Sequence, residues 1–413
     1  MKTKDIIADL AGQSDVPDFT PTREAGLTRL SQFADSTGDV YDRCRNYDLG
    51  PGHRANVSAF SPWIRHRLMT ETEVLGAVLK AHDFQKAERF VYEIFWRTYF
   101  KGWLEQHPTV WPAYQAGLLR QIKSVDKDRR LAANYAAAMA GETGIECFDA
   151  WADELVATGY LHNHARMWFA SIWCFTLRLP WELGADLFLR HLMDGDPASN
   201  TLAWRWVAGL QTKGRPYIAR PSNIAKFTNG RFRPTHQLVT DVEPLTESAH
   251  HLRRPLPDAV TPAAIKTDYL LLITEDDMQI GDALAHPPIA TIGALATHGR
   301  SPLPLGGVAQ AFAEGAMRAA CGKSDVIDHN KWSGILIEAC DHYETKTIVT
   351  GYAPIGPVAT ALANAQPDLT GAGITIVQAR RAFDTTAWPH ATKGFFAMKK
   401  GIPLILKQLC LSV

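Results

Sequence analysis

Two rhythms of apolar residues divide this chain, and the change between them limits the fold more than any other feature. In the stretch "TETEVLGAVLKAHDFQKAERFVYEIFWRTYFKGWLEQHP" apolar residues recur every three or four positions over several turns, the spacing of an amphipathic helix. Thr70, with Glu73 three residues on, offers a capping box at its start. "AWADELVATGY", "RMWFASIWCFTLRL" and "LPWELGADLFLRHLM" continue the rhythm, so residues 20–215 read as mainly helical. From residue 267 the texture changes. "DYLLLIT" is a short continuous apolar run, as expected for a buried parallel strand, and "GITIVQA" supplies another strand. "WSGILIEACDHYETKTIVTGYAPIGPVATALANAQ" reads as helix, strand, Gly/Pro turn and helix. Strands alternating with helices imply a doubly wound parallel sheet.

Between the two rhythms, residues 216–265 are rich in proline and polar groups and read as a loop followed by a linker. The expected domains are therefore a helical unit over 1–235, a linker over 236–265 and an α/β unit over 266–413. A chain of 413 residues is too long for one ordinary core. Its formal net charge is zero, so no overall field marks it for nucleic acid or a membrane, and any polyanion site must be a local patch. Cys44, Cys147, Cys174, Cys321, Cys340 and Cys410 are scattered with no C-x-x-C pair. That spacing argues against a metal or iron–sulfur centre and fits a reducing compartment. No signal-like or membrane-length apolar run occurs, so the expected location is cytoplasmic, with no membrane partner.

The chemistry concentrates around Asp194-Gly195-Asp196. Two carboxylates on a tight turn either cap helices or accept hydrogen bonds from a ring system or ribose. Asn200 follows them, and "LHNHARM" upstream brings His162, Asn163, His164, Arg166 and Met167 into one stretch. An Arg buried beside either carboxylate would form an ion pair. Four separated segments, "YDRCR" with "NVSAFSPWIRHRLMTE", then "YEIFWRTYF", then "TGYLHNHARMWFASIW" with "LPWELG", then "DGDPASNTLAWRWVAG", resemble in order and spacing the FAD-binding domain of the DNA photolyase and cryptochrome family. The resemblance runs from Tyr41 to Gly209. It implies an all-helical FAD-binding domain followed by the α/β unit, the reverse of the family's usual order. The α/β region itself resembles the family's antenna domain through "DYLLLITEDDMQIGDAL" and its closing half. A deazaflavin, a folate or nothing would sit there. "TGYAPIGP" at a strand end is alternatively a nucleotide turn, although it lacks the G-x-G-x-x-G spacing.

Residue by residue, the resemblance makes Tyr41, Ser58, Phe60 and Ser61 contacts to the diphosphate and ribose side of FAD. Arg97 and Arg166 would lie along the flavin, Asp194 and Asp196 would hold its ring or ribose, and Asn200 would face its N5. Val57 stands where the family usually has Thr. Trp181 and Trp204 match the inner two members of an electron relay. The third position falls near Asp128, where there is no Trp; Trp173, Trp168 or Trp111 would substitute, or the step is absent. Glu93, Trp96, Asn163, Met167 and Trp206 match the residues that receive a pyrimidine dimer, which is split by electron transfer from excited reduced FAD. Arg45, His164 and Lys226 would meet DNA, although His164 replaces a family Arg. The loop "RPSNIAKFTNGRF" replaces the usual one. The implied function is light-driven repair of damaged DNA; a cryptochrome-like photoreceptor with a signalling partner is the alternative.

Overall fold

A computed structural model describes residues 2–322, 324–328 and 332–411. Thirteen α-helices, Thr3–Gly12 through Pro221–Phe227, precede the first strand among these residues. The longest, Phe84–Gln106, runs through the centre and buries one residue after another, from Phe90 and Val91 to Leu104 and Gln106. The Glu71–Ala81 helix starts as its sequence dictates: the Thr70 hydroxyl accepts from Glu73 N, and the Glu73 carboxylate accepts from Thr70 N at 2.8 Å. Asn163–Ser171 ends in a π-turn over Ile172–Thr176. The region read as loop contains a short helix, Pro221–Phe227, opened by its proline.

The sheet is five-stranded, entirely parallel and ordered β3-β2-β1-β4-β5. Its strands are β1 (Leu270–Thr274), β2 (Ala290–Leu295), β3 (Val326–Asp328), β4 (Thr347–Gly351) and β5 (Thr375–Ala379). Every residue of β1 is buried. Leu270 and Leu272 pack with Leu336, Val358 and Leu362 on one face. Leu271 and Ile273 pack on the other face in a cluster that continues to Phe312, Met317, Trp63 and Phe95. One apolar core therefore crosses from the sheet into the helical region. Beyond β5 the last helices return to the Phe84–Gln106 helix: Phe395 and Phe383 pack against Trp96 and Phe95. The linker is anchored as well, since Val260 N donates to Gln378 O and Arg380 N to Val260 O. No helix among the described residues is long and apolar enough to cross a membrane.

Candidate flavin site

Of the Asp-Gly-Asp turn's two carboxylates, one caps a helix and the other holds an arginine. Asp196 caps the Pro197–Val207 helix by accepting from Ser199 N at 2.8 Å. Asp194 receives both guanidinium arms of Arg166, at 3.0 and 2.9 Å, a bidentate pair. Arg166 is steadied further by Leu161 O and by the Tyr160 ring. Asp196 is surrounded by cations: Lys101 Nζ lies at 3.0 Å, Arg97 at 3.7 Å and Arg65 at 4.0 Å from its Oδ2. Burial disfavours its charge, yet these three cations hold the carboxyl far below its ordinary value. Asn200 Nδ2 donates to Ala185 O at 2.7 Å.

The turn before the Ser61–Arg65 helix has an unusual backbone. Ala59 sits at φ +56°, in the left-handed region. The amides of Ser58, Ala59, Phe60 and Ser61 donate to no acceptor among the described residues. Free amides on a left-handed turn suit a phosphate, and a carboxylate kept charged by Lys101, Arg97 and Arg65 can accept from a hydroxyl or ring N–H as well. The donor set thus fits FAD. Ser58 and Ser61, the rigid Arg166–Asp194 pair, Asp196 and Asn200 are the residues that would hold it. The rings of Tyr41 and Phe60 pack against Phe33 and Phe90.

The substrate-side residues are spread over a wider surface. Glu93 lies 3.9 Å from Arg45 Nε. Its side chain is 39% exposed, yet surrounding protein still disfavours the carboxylate and raises its pKa, with Arg45 and Arg89 opposing. Asn163 is exposed and Met167 half-buried at the start of their helix. Trp96 stacks on Phe395, centroids 3.8 Å apart, and Trp206 stacks on Tyr217 at 5.4 Å. The two tryptophans belong to different apolar clusters, and no ring contact joins them among the described residues. His164 lies between Phe227 and Trp168; burial lowers its pKa to about 4, so it is neutral at pH 7. His162 is lowered to about 3 for the same reason. Its Nδ1 accepts from His164 N, so Nε2 carries the proton given to Arg45 O. Lys226 caps the face of Phe227 at 4.7 Å.

Trp204 is buried among Phe188, Phe169 and Trp173, the last at 6.2 Å. Trp181 neighbours Tyr114 at 5.6 Å instead, and no ring contact joins it to Trp204 among the described residues. Trp168 and Trp173 satisfy their N–H groups on Asn223 Oδ1 and Pro180 O, as core residues do. "TGYAPIGP" faces protein. Ile355 N donates to Glu105, and a Cβ on Gly356 would lie 2.9 Å from Pro197.

The motif reading missed what surrounds Asp196. Arg65-His66-Arg67, just after the phosphate-type turn, meets Glu275-Asp276-Asp277 at the end of β1. Arg65 donates to Asp276 at 2.6 Å and to Gly195 O at 3.0 Å. Arg67 reaches Asp277 and Asp384, and Arg381 also clasps Asp277. Two complementary charge triplets were the signal in the sequence. A second cluster was also missed: buried Asp48 accepts from Arg54, Trp151 and Arg231, and Arg54 also pairs with Glu154.

With this geometry in hand, comparison with known proteins gives a match of residues 90–271 to the FAD binding domain of DNA photolyase. The deoxyribodipyrimidine photo-lyase of Synechococcus sp. is 27% identical over 214 residues, 50% of this chain and 43% of that one. Cryptochrome DASH of Idiomarina loihiensis is 27% identical over 228 residues, 54% of this chain and 48% of that one. The deoxyribodipyrimidine photo-lyase of Streptomyces griseus is 38% identical over 130 residues, 31% of this chain and 27% of that one. The chain spans less than half the length of each of these curated relatives. Residues 90–271 of this chain are thus similar to the FAD binding domain of DNA photolyase, and the parallel sheet begins where that match ends.

Proposed function

We propose that the protein is a FAD-dependent, blue-light-driven photolyase-like flavoprotein, a deoxyribodipyrimidine photo-lyase that splits pyrimidine dimers in DNA. What supports this reading is the match over residues 90–271, a span that holds Glu93, Trp96, Asn163, Met167 and Trp206 in the family's order. FAD, when bound, supplies light absorption and one-electron chemistry. The chain's own residues bind and orient. The Arg166–Asp194 pair is a rigid wall, and Asp196 is an acceptor kept charged by its cations. Glu93, whose pKa is raised by its surroundings, holds a proton more readily than an ordinary carboxylate and would offer it to a lesion carbonyl. Arg45 and Lys226 would meet phosphates and set register. The unpaired cysteines lead us to place the protein in the cytoplasm.

The test is to mix reduced, FAD-loaded protein with ultraviolet-irradiated DNA and count dimers after blue light or darkness. Loss in light alone is expected; equal counts in both arms overturn repair. One observation favours a cryptochrome-like photoreceptor as the second reading: Trp96 and Trp206 each have a ring face covered by this chain's own Phe395 or Tyr217. That reading predicts a light-induced change in X-ray scattering with no loss of dimers.

A further inference from the structure

Residues 385–413 contain four lysines and no Asp or Glu, so the neutral chain hides a local positive charge. Two helices in this stretch, Phe395–Lys399 and Ile402–Gln408, are joined by Lys400 and Gly401, both with right-handed helical backbone (φ −63° and −89°). The pair is one bent helix, and the bend falls where Pro403 has no N–H to give to Lys399 O. Its inner face carries Phe395, Met398, Ile402, Ile405 and Leu406, all buried in the core that also holds Phe90 and Phe95. A helix buried on one side is ordinarily polar on the other. This one is not. Phe396, 75% exposed, is the most exposed large apolar side chain among the described residues, and Leu404 is 54% exposed. Positions 396, 400, 404 and 407 are spaced by four, four and three, so they follow one face. Lys400 and Lys407 are exposed there, and Lys393 and Pro403 are exposed as well. Lys399 instead caps the Tyr92 ring at 4.3 Å. No carboxylate among the described residues pairs with Lys393, Lys400 or Lys407.

We propose that this outer face rests on an anionic lipid bilayer. Phe396 and Leu404 enter the headgroup layer, while Lys393, Lys400 and Lys407 meet the anionic headgroups around them. The inner face stays in the protein core, so the helix lies along the membrane surface and does not cross it. Total charge and span length, which argue against a membrane partner, do not register a face of this size. A nucleic acid offers phosphates to the lysines and bases to Phe396, but its charged backbone and polar grooves offer little to the aliphatic Leu404 and Pro403. A bilayer takes all of them out of water. Three lysines and two apolar side chains make the attachment reversible and sensitive to salt.

Sedimentation of the full chain, as purified, with vesicles tests this. One set is phosphatidylcholine alone, and the other contains about one-third phosphatidylserine. At low salt the mixed vesicles capture at least about tenfold more protein, and the gain disappears at about 1 M salt. Lys400→Glu with Lys407→Glu removes the preference for phosphatidylserine. Phe396→Ser with Leu404→Ser lowers capture by the mixed vesicles about tenfold. All four side chains are exposed, and an unchanged thermal midpoint confirms that each variant folds. Equal capture by the two vesicle sets overturns the proposal, and so does either double variant behaving as the parent. If neither set captures the protein, while a short unirradiated DNA duplex binds it and Lys400→Glu with Lys407→Glu ends that binding, the face belongs to nucleic acid and the proposal falls. Repair and photoreduction do not enter this readout.

Discussion

The aromatic core beneath the flavin motifs and the seam beside them are equally buried, but they are held by opposite physics. In the first, Trp204, Trp173, Phe169, Phe188 and Phe148 meet ring to ring, and Gly184 exists to let them approach: a Cβ there would lie 2.3 Å from Trp204. In the second, six cations (Arg65, Arg67, Arg97, Lys101, Arg300 and Arg381) face six carboxylates (Glu71, Asp196, Glu275, Asp276, Asp277 and Asp384) among the described residues. Rings tolerate loss of a neighbour by leaving a cavity. Buried ions do not, because each charge left without its partner must be desolvated alone. The seam therefore specifies one relative placement of helices and sheet, whereas the core specifies only that the helices be close.

The largest expected effect is at the seam. Arg65→Met removes the guanidinium that links Gly195, Asp196, Glu275 and Asp276, and should destabilise the fold by about 3–5 kcal/mol in denaturant unfolding. A loss under about 1 kcal/mol would mean that the remaining cations suffice and that the seam is weaker than its geometry. In the ring core, Gly184→Ala should cost about 3 kcal/mol by overpacking against Trp204, and this loss should not change with ionic strength. Sensitivity to salt would show that the two regions are coupled.

A smaller effect separates ions held within the helical region from those across the seam. Arg54 and the other cations around Asp48 lower its carboxyl to about 2, despite burial. Its folded value lies below the unfolded one, so its contribution is present above about pH 4 and is lost as pH falls through 2. That contribution is about 2 kcal/mol. Asp48→Asn should flatten the acid limb of stability against pH between 4 and 2; an unchanged slope assigns that limb to the seam.

Much of the local structure around the Asp-Gly-Asp turn was legible because its partners are near in sequence or carry a fixed spacing. Arg166 and Asp194 are 28 residues apart and pair as an Arg beside that turn would. Thr70 caps its helix from its own first turn. β1 announced itself as an apolar run, and every residue of it is buried; β5, at the sheet edge, carries Thr375 and Gln378 and is buried only at Ala379. What was not legible lies between distant segments. Arg65 and Asp276 are 211 residues apart, and nothing local to either triplet chooses the other. Phe395 over Trp96 and Tyr217 over Trp206 arise from packing that periodicity does not encode. The Pro221–Phe227 helix was hidden because a seven-residue element flanked by proline and polar residues has no measurable period.

The separation of Arg65 from Asp276 also has a consequence in time. During synthesis at roughly 5–20 residues per second, Glu275-Asp276-Asp277 emerges about 10–40 seconds after Arg65-His66-Arg67. For that interval the nascent helices hold two arginines whose acidic counterparts across the seam have not been made. Asp196, 131 residues after Arg65 by their numbering, arrives first and supplies an interim counter-charge through contacts internal to the helical part. The Asp-Gly-Asp turn is thus also the first anchor for cations that later fasten the sheet, so the order of translation favours a helical unit assembled around that turn before the α/β unit closes over it.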